Sequence, residues 1–227
     1  MSGIWAVVPI KEFSGAKQRL TPRLSPQQRQ SLAAIMVEDV LHTLATVPQL
    51  AGIVVVTIDP LARSLAERYG ARVVTDGARD GHTGAVTSAA RLLARERLDG
   101  MITLPGDIPR IQASEVTAAL AAHKSAPAFT IVPAHDELGS NAIICSPPDA
   151  VPFRFGEDSF FPHLDAARRA GIAPSILHQP GIAMDIDHPA DLLAFLQMSP
   201  RIPTRTLAFL EQSGIAGELL AEATAAR

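Results

Sequence analysis

Three carboxylates and a small group of cations are the residues of this 227-residue chain whose types and spacing could do chemistry. Asp107 lies in Pro105-Gly106-Asp107-Ile108-Pro109, at the end of an apolar run and between two prolines. Asp185 and Asp187 are separated by one residue. In an extended segment residues i and i+2 point to the same side, so both carboxylates can face one ion. A Mg²⁺ ion at a nucleotide takes one or two carboxylates and leaves its other positions to water and phosphate oxygens. Asp107, Asp185 and Asp187 suit that use. Each pattern also has an ordinary one: Asp107 as a turn residue capping the helix near Ser114, Asp187 as the N-cap of a helix opened by His188-Pro189.

The cations gather after the first apolar run. The chain has three lysines, and two of them, Lys11 and Lys17, fall in the loop from Pro9 to Leu20 with Arg19; Arg23 follows. Phosphates bind where cations, free backbone N–H groups and a nearby helix start coincide. A solvated basic loop is the alternative, and the G-x-x-x-x-G-K spacing of a Walker motif is absent. Gly139-Ser140-Asn141 and Phe155-Gly156-Glu157-Asp158-Ser159-Phe160 are further candidates. The second opens a helix, where N–H groups can receive an anion or Ser159 or Asp158 can serve as a plain cap. His82, His135, His163, His178 and His188 show no metal-ligand spacing and read as surface or structural; His163 shares the helix of Ser159. Phe153, Phe155, Phe160 and Phe161 read as core or pocket wall.

The elements that must position these residues alternate. Ile4 to Ile10, Gly52 to Ile58, Arg72 to Thr75, Gly100 to Leu104, Phe129 to Val132 and Asn141 to Cys145 read as strands, with a shorter one at Ser175 to Leu177. Helices are expected after the Ser25-Pro26 start, over Leu61 to Tyr69, Ala85 to Arg97, Ser114 to His123, Ser159 to Gly171, and from Pro189 to about Met198. This order predicts an α/β fold with a mostly parallel central sheet and helices on both faces. In such sheets ligands bind outside the carboxyl ends of the strands, where Lys11, Asp59, Asp76, Asp107 and the Asp185/Asp187 pair fall. Ser199 to Pro203 reads as a hinge between a domain over 1–198 and a helical extension over 199–227 suited to packing or a homodimer contact.

Composition narrows the class. With 47% hydrophobic and 19% charged residues the chain can bury a sizeable core. A net charge of −3 argues against a nucleic-acid partner. No apolar run reaches the roughly 18 residues of a membrane helix. Met1-Ser2-Gly3-Ile4-Trp5 lacks a basic leader pattern, and the single Cys145 excludes an internal disulfide framework and a Cys-based zinc site. The expectation is a soluble cytoplasmic protein.

Taken in order, these motifs resemble the guanylyltransferases of coenzyme F-420 biosynthesis, the CofC/FbiD type that acts on 2-phospho-L-lactate or phosphoenolpyruvate. The matching residues span about 4–198. They are Pro9-Ile10-Lys11 with Ala16-Lys17-Gln18-Arg19-Leu20, Glu38-Asp39-Val40-Leu41, Pro105-Gly106-Asp107-Ile108-Pro109, Gly139-Ser140-Asn141-Ala142, Phe155-Gly156 with Ser159-Phe160, and Pro180 to Asp187. The resemblance implies a single-domain nucleotidyltransferase fold of the glycosyltransferase-A type. It implies Mg²⁺ on Asp107, Asp185 and Asp187, GTP phosphates on Lys17 and the loop bearing Lys11 and Arg19, and a phosphorylated three-carbon acid on Ser140, Gly156 and Ser159. Lys17 and Asp107 would carry the catalysis.

Four departures from the family pattern stand out: His82-Thr83 for Leu-Asn, Gly106 for Ala, Ser140 for Thr and Asp158 for Gly. Asp158 should repel an anionic acid or accept a substrate hydroxyl, which brings 3-phosphoglycerate onto the list of acids. A molybdopterin guanylyltransferase, a cytidylyltransferase and a non-catalytic nucleotide-sensing module are the rival expectations.

Overall fold

A computed structural model describes residues 3–156 and 158–225. Met1, Ser2, Glu157, Ala226 and Arg227 lie outside the described residues.

Seven strands form one sheet: β1 (Ile4–Pro9), β2 (Leu50–Val56), β3 (Arg72–Val74), β4 (Gly100–Thr103), β5 (Ala128–Pro133), β6 (Ser140–Ser146) and β7 (Ser175–Ile176). Their spatial order is β3-β2-β1-β4-β6-β5-β7. All neighbours are parallel except β6, which runs antiparallel to both β4 and β5. The sheet is therefore mixed, with a parallel half that carries the first loop and Asp107.

The inner strands are buried on both faces, which explains their continuous apolar sequences; the edge strands β3 and β7 are partly exposed. Ala6 and Val8, Ile53 and Val55, and Ala142 and Ile144 face one core; Val7, Val54, Val56, Ile143 and Cys145 face the other. The first core is covered by α1 (Pro26–Ala45), α2 (Pro60–Arg68) and α4 (Ala113–Ala122), the second by α3 (Gly81–Arg95) and α5 (Phe160–Arg169). Ser25 caps α1 as its sequence predicts: its hydroxyl accepts from the Gln28 N–H while the Gln28 side chain accepts from the Ser25 N–H.

A third core forms beneath the first loop. Leu20 and Leu24 of that loop pack with Leu32 and Met36 of α1 and with α7 (Pro189–Gln197), α8 (Arg205–Gln212) and α9 (Ile215–Ala225). Asp39, buried on α1, accepts the Arg205 and Thr206 N–H groups at 2.9 Å each, adding to the N-cap Thr204, whose hydroxyl accepts the Leu207 N–H at 3.0 Å. Arg23 and Glu222 close the same contact with an ion pair at 2.7 Å.

Several expected boundaries move. Helix α3 starts at Gly81, so His82, Thr83 and Gly84 lie in its first turn, not in a loop before Ala85. Gln112, not Ser114, caps α4, in a capping box closed by Glu115. His188, not Asp187, is the N-cap of α7, with Asp191 closing the box, so Asp187 is left free of a capping role. Ser159 precedes α5, but its hydroxyl makes no cap bond.

Among the described residues no helix is long and apolar enough to cross a membrane.

Candidate active site

The chain leaves β1 for β2 on one side, then returns to place β4 on the other. Ligands bind at such a switch point, beyond the carboxyl ends of the strands. A cleft of about 1160 Å³ opens there. It is lined by Lys11, Lys17 and Arg19 from the first loop, by Asp107 after β4, and by Asp185 and Asp187. Ser140, Gly156 and Ser159 line its other side. Every site residue expected from the sequence therefore faces one cavity.

Local structure explains how each gets there. The buried Asp59 accepts the Phe13 N–H at 2.9 Å, which ties the first loop to the end of β2. Lys17 adopts a left-handed backbone, φ 53°, and turns its side chain inward. Its Nζ lies 2.6 Å from Asp107 Oδ2 and 2.7 Å from Asp187 Oδ1. Arg19 approaches Asp187 at 3.5 Å. The Ile186 N–H donates to the Asp107 carbonyl at 3.1 Å, which sets the second acidic segment directly beside the first. Gly106 has a local cause as well: a Cβ there would meet Val37 Cγ2 at 2.8 Å.

Charge is unevenly compensated. Burial opposes the Lys17 ammonium, but the Asp107 and Asp187 carboxylates outweigh it, and its pKa is raised. Burial pushes Asp187 up, the Lys17 charge pulls it down further, and its carboxyl ends below the usual range. Asp185 behaves oppositely. Burial raises it, the Asn141 hydrogen bond at 2.9 Å only partly offsets this, and the Asp107 and Asp187 charges raise it again. More positive charge is thus favoured beside Asp185. Among the described residues no three His, Cys, Asp or Glu side chains converge as a formed metal centre; the Lys17 ammonium stands where Asp107 and Asp187 meet. The donors offered to the cleft are carboxylate oxygens, which suit a hard divalent cation.

Opposite, Ser140 Oγ lies 3.0 Å from His163 Nδ1 and 3.2 Å from Ser159 Oγ. Gly156 has φ 147° and Asp158 φ 56°. The Thr83 hydroxyl accepts the Phe155 N–H at 2.9 Å, and the His82 ring packs on Phe155 with centroids 4.4 Å apart. The first turn of α3 therefore grips the Phe155-Gly156 loop. Burial pushes the His82 imidazole down to about 4.

His163, Asn141 and Glu115 hold this arrangement, and of these Glu115 is the one that the sequence did not single out. His163 is fully buried behind Ser140. The Asn141 amide faces the Ile182 and Ala183 carbonyls as well as Asp185. Glu115 accepts the Gly181 N–H at 2.6 Å, fixing the short helix α6 (Pro180–Ala183) that leads into Asp185. A buried glutamate near the start of a helix reads as a cap, and nothing local to it points 66 residues away.

The family described as guanylyl transferase CofC like matches residues 4–219. The chain belongs to that family. Among its curated relatives, a phosphoenolpyruvate guanylyltransferase of Rubrobacter xylanophilus is 35% identical over 192 residues, 83% of this chain and 91% of that one. A 3-phospho-D-glycerate guanylyltransferase of Colwellia psychrerythraea is 34% identical over 195 residues, 86% and 92% of the two chains. A crystal structure from Desulfovibrio desulfuricans G20, assigned by its name to the nucleotide-diphospho-sugar transferases, superposes with a TM-score of 0.72 at 20% identity, covering 95% and 97%. This CofC-like chain thus has a nucleotidyltransferase fold and is a nucleotidyltransferase.

Proposed function

We propose that the protein condenses GTP with a phosphorylated three-carbon acid, phosphoenolpyruvate or 2-phospho-L-lactate, releasing pyrophosphate, as a step toward coenzyme F-420. The observation that carries this reading is the meeting of Lys17 with Asp107 and Asp187 in the same cleft that Ser140, Gly156 and Ser159 line.

Lys11, Lys17 and Arg19 hold the triphosphate. Ser140, Gly156 and Ser159 hold the acid. The acid's phosphate oxygen attacks the α-phosphorus of GTP, forming the new P–O bond as the bond to the β-phosphate oxygen breaks. The attacking group is already an anion, so no protein nucleophile is needed; the chain supplies alignment and charge neutralisation. Asp107, Asp185 and Asp187 would hold Mg²⁺, which supplies positive charge to the triphosphate and the leaving pyrophosphate. Residues 1–198 form the catalytic domain, and 199–227 form an extension that supports its first loop.

A second reading concerns the acid. Asp158 lines the cleft in a left-handed conformation at the position where the family carries Gly. A carboxylate there favours an acid with a hydroxyl to donate, and 3-phosphoglycerate meets that need. The test is mass spectrometry of the products from GTP and Mg²⁺ with each of the three acids in separate reactions, and with ATP, CTP and UTP replacing GTP. A nucleotide diphosphate adduct of one acid identifies it. Pyrophosphate release with another nucleotide in preference to GTP would overturn the base assignment.

A further inference from the structure

The buried wall behind the acid side of the cleft contains a hydrogen-bond chain whose direction is fixed at one end. The Arg154 backbone N–H points at His163 Nε2, 2.9 Å away. A backbone amide can only donate, so Nε2 accepts, and the neutral ring carries its proton on Nδ1. That proton faces Ser140 Oγ at 3.0 Å. Ser140 Oγ therefore receives a hydrogen bond from His163. Ser159 Oγ lies 3.2 Å from Ser140 Oγ on the other side. The two hydroxyls own two protons, and one of these lies between their oxygens. The other has no acceptor among the described residues. Both serines line the cleft and are buried. An unspent O–H donor beside a cleft needs an acceptor, and a carboxylate or phosphate oxygen is the strongest one.

We propose that His163 is a positioning residue that fixes the Ser140–Ser159 pair as a hydrogen-bond donor toward an anionic oxygen of the phosphorylated acid. The inference rests on the assignment of the acid to this side of the cleft. Packing keeps the relay in register. The His163 ring is fully buried and sits edge-on to Phe155, centroids 4.9 Å apart. A second proton on the ring would point at the Arg154 N–H and break the chain, so the neutral tautomer is the only one that satisfies both partners.

The test is a double-mutant cycle on initial rates with acid and GTP varied separately. His163→Phe keeps the ring and removes the relay. It is expected to raise KM for the acid about tenfold or more, the size of one hydrogen bond to a charged group, with KM for GTP within about twofold. Ser140→Ala is expected to do the same, and the pair together no more than Ser140→Ala alone, because both act through one donor. His163→Asn, whose amide can donate near the place of Nδ1, should recover part of the loss; it also serves in the cycle if the Phe variant does not fold. An unchanged acid KM in the His163 variant beside a raised one in Ser140→Ala, or effects that multiply, would overturn the relay alone. An acid KM unmoved by Ser140→Ala would overturn the acid-pocket assignment and the relay with it.

Discussion

Lys17 and Asp187 lie 170 residues apart in the chain, and 2.7 Å separates Lys17 Nζ from Asp187 Oδ1. The same Nζ meets Asp107 at 2.6 Å. One ammonium thus joins the first loop, the end of β4 and the segment before α7.

Lys17→Ala should weaken GTP binding at least about tenfold in a calorimetric titration, since it removes the proposed phosphate-binding cation and takes the nearest positive charge from Asp107 and Asp187. The stability cost should be only about 1 kcal/mol, because Asp187 is 39% exposed and solvent screens the pair. Unchanged GTP affinity would contradict the role.

Asp185→Asn separates activity from stability. The carboxyl is buried beside two like charges, and its raised pKa means that folding disfavours the ionised form at neutral pH. The amide keeps an oxygen for Asn141 and sheds the charge. The melting temperature should hold or rise, while GTP-dependent pyrophosphate release falls about 100-fold or more, the scale of one lost electrostatic partner. Asp107→Asn should lose turnover to the same extent. Wild-type turnover in either variant would remove that residue from the site.

Acid should destabilise the protein through His163. Burial pushes its imidazole down to about 4, from an ordinary value near 6.5. A depressed histidine contributes stability that is fully present above 6.5. That stability is lost as the pH falls toward 4, because the unfolded chain binds the proton first. About 3 kcal/mol is at stake over this window. Urea unfolding at pH 7 and pH 4.5 should show a smaller loss in His163→Phe than in the wild type.

Asp158→Gly should stabilise the fold by about 1 kcal/mol, because a left-handed backbone strains a residue with a Cβ. It should also lower KM for phosphoenolpyruvate relative to 3-phosphoglycerate. Competition between the two acids in one reaction reads the ratio directly. A ratio equal to the wild type would show that Asp158 takes no part in choosing the acid.

Asp39→Ala leaves the Arg205 and Thr206 N–H groups at the start of α8 without their acceptor, while the Thr204 cap remains, and should cost about 1–2 kcal/mol. Leu20 and Leu24 share a core with α8 and α9, so the variant should weaken GTP binding as well as stability. A lower melting point with normal GTP affinity would separate the extension from the first loop.

Much of this was legible in the sequence because it was local. Continuous apolar runs marked the strands, Ser25-Pro26 marked the start of α1, and strand-end acids and lysines marked the cleft. The start of α3 was hidden because Gly81 and Gly84 are poor helix formers and read as loop. The antiparallel placement of β6 was hidden because pairing direction leaves no trace in a buried run. His163 stood out among the histidines by sharing the helix of Ser159, but its partner Ser140 is 23 residues distant and stayed hidden, as did Glu115, whose partner Gly181 is 66 residues distant. A buried histidine or glutamate carries no sign of what it touches.

The Ile186 N–H to Asp107 carbonyl bond has a practical outcome. The two acidic segments are stitched together through main chain, so their spacing does not depend on which side chains they display. Exchange of Asp185 or Asp187 for glutamate or histidine therefore leaves the main-chain contact standing, so the donor set of the proposed cation site can be varied one side chain at a time.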